Sequence, residues 1–167
     1  LAKRGIIGVA IDARYHGERA VGAKGAAAYQ KAILDAWQTP ADKPREHPFY
    51  YDTVWDLMRL VDFLQTRPEI DASRLGMIGF SMGGTYAYLL GCADDMVRAV
   101  VVFYGTIVYA TTNPLKPISP IEKADNLRCP VLGLFGAEDP MIPVEQVRDL
   151  EERLRGGHEE RPGEVGG

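Results

Sequence analysis

The chain has 167 residues, 46% of them hydrophobic and 25% charged, with a formal net charge of −4. That length is one domain or part of one, the balance is that of a soluble globular protein, and the acidic excess leaves no basic footprint for nucleic acid. No apolar run approaches the roughly 18 residues of a membrane span, the opening Leu1-Ala2-Lys3-Arg4-Gly5 is no secretory signal, and Cys92 and Cys129 have neither metal nor redox spacing, so they read as buried, reduced thiols of a cytoplasmic protein.

The first element is Gly5-Ile6-Ile7-Gly8-Val9-Ala10-Ile11, a continuous β-branched run bounded by Arg4 and Asp12 that predicts a strand buried on both faces. Residues 12–25 are rich in Gly and charge and read as a loop. Residues 26–37 read as a helix that stops before Pro40, and the proline-rich 39–48 as another loop. Asp52 or Thr53 then caps a helix on which Val54, Leu57, Met58, Val61 and Leu64 fall at helical spacing, ended by Pro68. Residues 75–80 predict a strand, followed by a helix to about Cys92. Residues 97–103 predict a second buried strand, and the irregular 104–128 holds at most a short helix at 121–126. Residues 130–135 predict a further strand. Residues 144–154 predict a helix with Val144, Val147, Leu150 and Leu154 on one face, and residues 156–167 a polar, Gly-rich tail. Apolar strands alternating with helices mean a mainly parallel sheet flanked by helices, an α/β fold.

Between the strand at 75–80 and its helix lies Gly79-Phe80-Ser81-Met82-Gly83-Gly84, of the form Gly-x-Ser-x-Gly. A serine on a sharp strand-to-helix turn is a nucleophile elbow. The turn is tight enough that side chains on either flank of the serine are expected to collide with backbone, and it exposes the Oγ at a helix N-terminus, where dipole and N–H groups favour developing negative charge.

Three segments resemble the α/β-hydrolase superfamily, in its dienelactone hydrolase, acetyl esterase and prolyl oligopeptidase-like branch. They are Gly5 to Arg19 with Asp12-Ala13-Arg14-Tyr15-His16-Gly17-Glu18-Arg19, Asp71 to Gly84 with the elbow, and Pro130 to Pro143 with Phe135-Gly136-Ala137-Glu138-Asp139-Pro140-Met141-Ile142-Pro143. The resemblance implies a partial α/β-hydrolase domain over residues 1–155, with strands corresponding to the fourth to seventh of the family. It also implies a central portion of a longer hydrolase, because the family's first three strands and oxyanion loop have no counterpart here.

It further implies Ser81 as nucleophile, Asp139 as triad acid and the Met82 N–H as an oxyanion donor. Asp139 lies just past the C-terminal end of a strand, where parallel sheets hold ligands; Glu138 beside it is equally eligible by position, and a turn or capping role is the alternative. The family order Ser, Asp, His leaves His158 as the general-base candidate, yet the helix at 144–154 leads away from the active-site edge, so His158 also reads as a solvated tail residue. His16 is on the correct edge but out of order and reads as a pocket residue; His47 reads as surface or packing. Tyr15, His16, Phe103, Tyr104, Met141 and Ile142 are pocket candidates, with residues 104–120 as a lid. No metal-ligand spacing or cofactor motif is present. The expected function is hydrolysis of a small carboxylic ester through an acyl-enzyme, without nucleic-acid or membrane partners. A non-catalytic binding protein, or a peptidase, lactonase or thioesterase of the same fold, is the alternative.

Overall fold

The computed structural model describes residues 2–20, 22, 26–40, 42–43, 49–112 and 116–159, with backbone only at 26, 37, 49 and 157–159. The chain divides into two compact units, residues 1–70 with 113–117, and residues 71–112 with 118–167. Among the described residues no helix is long and apolar enough to cross a membrane.

The first unit carries helices α1 (Ala26–Gln38) and α2 (Phe49–Gln65). Val54, Leu57 and Val61 of α2 are buried, as their spacing predicts, and Ile33 of α1 is buried too. The helix begins earlier than expected. Asp52 and Thr53 are not caps: both are buried, Asp52 in the first turn and Thr53 just beyond it. The reason is non-local: the Asp52 carboxylate pairs with Arg14 at 3.0 Å. The same guanidinium grips Asp56 through Nε and Nη2, both at 2.9 Å, and Arg19 reaches Asp56 at 2.8 Å. Burial alone would raise the Asp56 carboxyl; the hydrogen bonds from Arg14 and Arg19 outweigh it and hold the group below the usual carboxylate range.

Arg14→Met is therefore expected to cost about 1–2 kcal/mol, less than a fully buried pair because both partners keep some solvent. A carboxylate whose folded value is depressed contributes stability above its unfolded value, near pH 4, and loses it as pH falls through the folded value. Thermal melts should show the full gap at pH 7 and its closure below about pH 4; an equal gap at pH 3 would mean the loss is packing, not charge.

Residues 5–11 are not the predicted strand. They join no ladder among the described residues, and Ile6, Ile7, Val9 and Ile11 are each about half exposed. The β-branched run supplies the propensity, but a strand exists only with a hydrogen-bonding neighbour.

The second unit holds β1 (Gly76–Phe80), α3 (Met82–Ala93), β2 (Ala99–Phe103), a 3₁₀ helix (Pro120–Asn126), β3 (Val131–Leu134) and α4 (Val144–Glu159). The strands form a parallel sheet in the order β1-β2-β3, with Phe80, Phe103 and Leu134 level at their C-terminal ends. Each strand–helix–strand connection is the crossover that parallel pairing requires. Helix α3 is buried from Gly84 to Gly91. It lies close against β2 because a Cβ at Gly91 would stand only 2.6 Å from the Val100 side chain.

Within this unit α3 packs on one face of the sheet. Ile78, Phe80, Leu132 and Leu134 are exposed on the other face, and the Phe80 and Phe103 rings stack there at 4.5 Å. The helices packed on the sheet in this unit supply a single layer. The expected tail at 156–167 also begins late, since α4 runs on to Glu159. Pairs Asp149–Arg153 and Glu151–Arg155, four residues apart, support its later turns.

Candidate active site

Ser81 is the residue on which β1 turns into α3. It has φ 54° and ψ −124°, a conformation that side chains rarely adopt. Its amide donates to Phe103 O at 2.9 Å, and its carbonyl accepts from the amides of Gly84 and Thr85 at 2.9 and 3.2 Å. Its side chain makes no capping hydrogen bond. A serine at that position usually turns its hydroxyl back onto the helix; here the Oγ is left on an exposed residue at the strand edge.

The glycines divide the work differently from what the motif implies. A Cβ on Gly79 would collide with the Gly83 carbonyl, so this position admits only glycine without a shift. Gly83 has open space around its own Cβ position, which corrects the expectation of a collision on both flanks. The second close approach belongs to Gly84, whose Cβ would stand 2.9 Å from Phe103 O and 3.1 Å from Gly105 Cα. Gly84 and Gly105 together let the start of α3 lie against the end of β2. Sequence reading missed Gly105; its signal was a glycine two residues past the last aromatic of a buried strand.

Tyr104, between them, is also left-handed at φ 39°; its amide donates to Leu134 O at 2.8 Å and its side chain is exposed. Ser81 and Tyr104 thus follow the level ends of neighbouring strands, and strained residues of this kind concentrate where a fold does chemistry.

Asp139 lies in the loop between β3 and α4. Its Oδ1 accepts from the amides of Met141 and Ile142 at 2.8 and 3.2 Å, which fixes the carboxylate and leaves Oδ2 as the oxygen for another donor. β3 ends two strand spacings from β1, about 10 Å across the sheet edge. Met141 is 79% exposed beside Asp139, whereas Ile142 is only 3% exposed and is a core residue, not a pocket wall.

The other candidates lie on other elements. His158 is on the last turn of α4, about 21 Å along the helix from Val144, and the helix carries it away from the loop that holds Asp139. Tyr15 and His16 belong to the first unit. There Tyr15 is left-handed at φ 65°. His16 Nδ1 lies 2.8 Å from Arg14 O and must donate to it, and its ring meets Tyr29 at 4.5 Å. Burial first, and Tyr50 second, push the Tyr29 hydroxyl up to about 12. His47 lies outside the described residues. The expected lid is anchored: Ile107 and Tyr109 are buried, tied by Ile121 N to Ile107 O at 3.0 Å and Tyr109 N to Ser119 Oγ at 2.9 Å. Its residues 113–115 lie outside the described set.

A parallel sheet with a strained serine between strand and helix and an acid after a later strand is a partial α/β-hydrolase fold. The chain belongs to the dienelactone hydrolase family, whose model matches residues 22–161. It is 33% identical over 100 residues to a Bradyrhizobium protein bearing the provisional name 2-oxo-3-(5-oxofuran-2-ylidene)propanoate lactonase, covering 60% of this chain and 40% of that one. It is 36% identical over 100 residues to a Methylorubrum extorquens protein provisionally named carboxymethylenebutenolidase, covering 60% of this chain and 34% of that one. Among solved structures, a Klebsiella pneumoniae protein provisionally named dienelactone hydrolase superposes with a TM-score of 0.63 at 26% identity, over 81% of this chain and 51% of that chain. The aligned part is therefore about half or less of each of these relatives.

Proposed function

We propose that the chain carries the nucleophile and acid of a serine hydrolase that acts on small carboxylic esters, lactones among them. The observation that carries this reading is Ser81, held in a strained turn with its hydroxyl making no capping hydrogen bond to the helix it begins. Ser81 Oγ attacks the ester carbonyl carbon and gives its proton to a general base. The oxyanion forms at the start of α3, where the Met82 N–H and the helix dipole favour negative charge. Collapse expels the alcohol, or opens the ring of a lactone, with that proton, and water then hydrolyses the acyl-serine. Asp139 orients the base, a histidine, and stabilises its imidazolium. Lactones enter because the named relatives include a lactonase; no step calls on a cofactor.

His158 is the sequence-order candidate for the base, and its place on α4 favours a second reading, a non-catalytic member of the fold kept for binding. A fluorophosphonate probe separates the two, read by intact mass on the 167-residue chain. One adduct is expected on the wild type and none on Ser81→Ala, with labelling retained in His158→Ala. A chain folded by circular dichroism that takes no label would leave the binding reading standing.

A further inference from the structure

On the α3–α4 side of the sheet lies a cavity of about 510 Å³ that the proposed reaction does not use. None of Ser81, Met82, Tyr104 or Asp139 borders it. Val102 and Val131 line it from the sheet, Val147, Leu150 and Leu154 from α4, and Tyr88 from α3.

Its origin is legible in β3. Alternation turns Val131, Gly133 and Phe135 to this side and Leu132 and Leu134 to the other. Gly133 supplies no side chain, and the Phe135 ring folds over it, 2.7 Å from where a Cβ would stand. The strand therefore leaves a gap beneath α4 that the leucines of that helix do not fill.

Protein interiors are close-packed, with few voids larger than a water. An apolar cavity of about 150 Å³ already takes up benzene, and ligand sites run from about 300 to 1,000 Å³. The lining of this one is mainly apolar. Tyr88 offers it no polar atom, since its hydroxyl is fully buried. At the rim, Arg155, the only cation among the described lining residues, is tied to Glu151 at 2.6 Å. An anion would lose its water among valines and leucines with nothing to balance it.

We propose that this cavity is a second binding site, for a small neutral molecule that is mostly hydrocarbon: an alkyl or monocyclic aromatic compound. It stands on the cavity alone, independent of the hydrolase reading.

The test is a titration of the 167-residue chain with fluorobenzene, followed by fluorine NMR. Saturable one-site binding is expected. Leu154→Trp, which fills the mouth, should weaken it at least tenfold. Leu132→Ser, on the opposite, open face of the same strand, should leave it unchanged. Val147→Phe is a second filling variant, and each variant counts only with a wild-type melting curve. Binding that survives both filling variants, or that Leu132→Ser abolishes, overturns the proposal. So does a folded wild type with no saturable shift.

Discussion

Ser81→Gly is expected to abolish ester hydrolysis and at the same time to raise the melting temperature. The two effects have one cause. A non-glycine residue in a sparsely populated region costs of order 1–3 kcal/mol, and Ser81 stays there because its amide is held by Phe103 O while its carbonyl accepts the first amides of α3. Glycine adopts that conformation freely, at about 0.5–1 kcal/mol of extra chain entropy in the unfolded state. The net gain is about 1 kcal/mol, or 2–4 °C in a chain of this size. Ser81→Ala keeps the strain and loses the hydroxyl. Both variants should lose at least about a thousandfold in turnover of p-nitrophenyl acetate, but only the glycine variant should melt higher. Equal melting temperatures would show that the elbow stores no strain. Turnover surviving in either would remove Ser81 from the chemistry.

Local sequence carried the second unit well and the first less so. The apolar runs that end in Phe80, Phe103 and Leu134 and the leucine spacing of α4 became strands and a helix nearly where predicted, because burial against α3 rewards the same residues that propensity favours. The run at 5–11 has the same composition and is no strand, since a ladder depends on a neighbour that composition does not report. Asp52 looked like a cap because its partner, Arg14, is far away in sequence. The elbow shows the same limit at the scale of one residue. The motif names Gly79 and Gly83, but the space around them assigns the steric demand to Gly79 and Gly84, and the second of these follows from Gly105 in a distant loop. The candidate acid Asp139 stands where its sequence position put it, in the loop after a strand. The place of His158 was not legible, because α4 decides where it goes, and a helix continuing to Glu159 was hidden by its glycines.

Asp139→Asn should separate the two duties of that side chain. As a loop residue, Asp139 accepts from the amides of Met141 and Ile142 through Oδ1. A carboxamide oxygen in the same place can accept both, so the melting temperature should stay close to that of the wild type. As a triad acid, it needs negative charge on the oxygen that faces the histidine, and an amide there presents N–H and favours the wrong tautomer. Turnover should fall by about ten-thousandfold, in kcat with little change in KM. Asp139→Ala loses both functions. It should be as slow as the asparagine variant and also less stable by about 1–2 kcal/mol, the loss of the two hydrogen bonds that Oδ1 accepts. Glu138→Gln serves as the positional control and should keep wild-type turnover. If Asp139→Asn turns over normally and Glu138→Gln does not, the acid is one residue earlier, and the bonds from Met141 and Ile142 are only the staple of a loop.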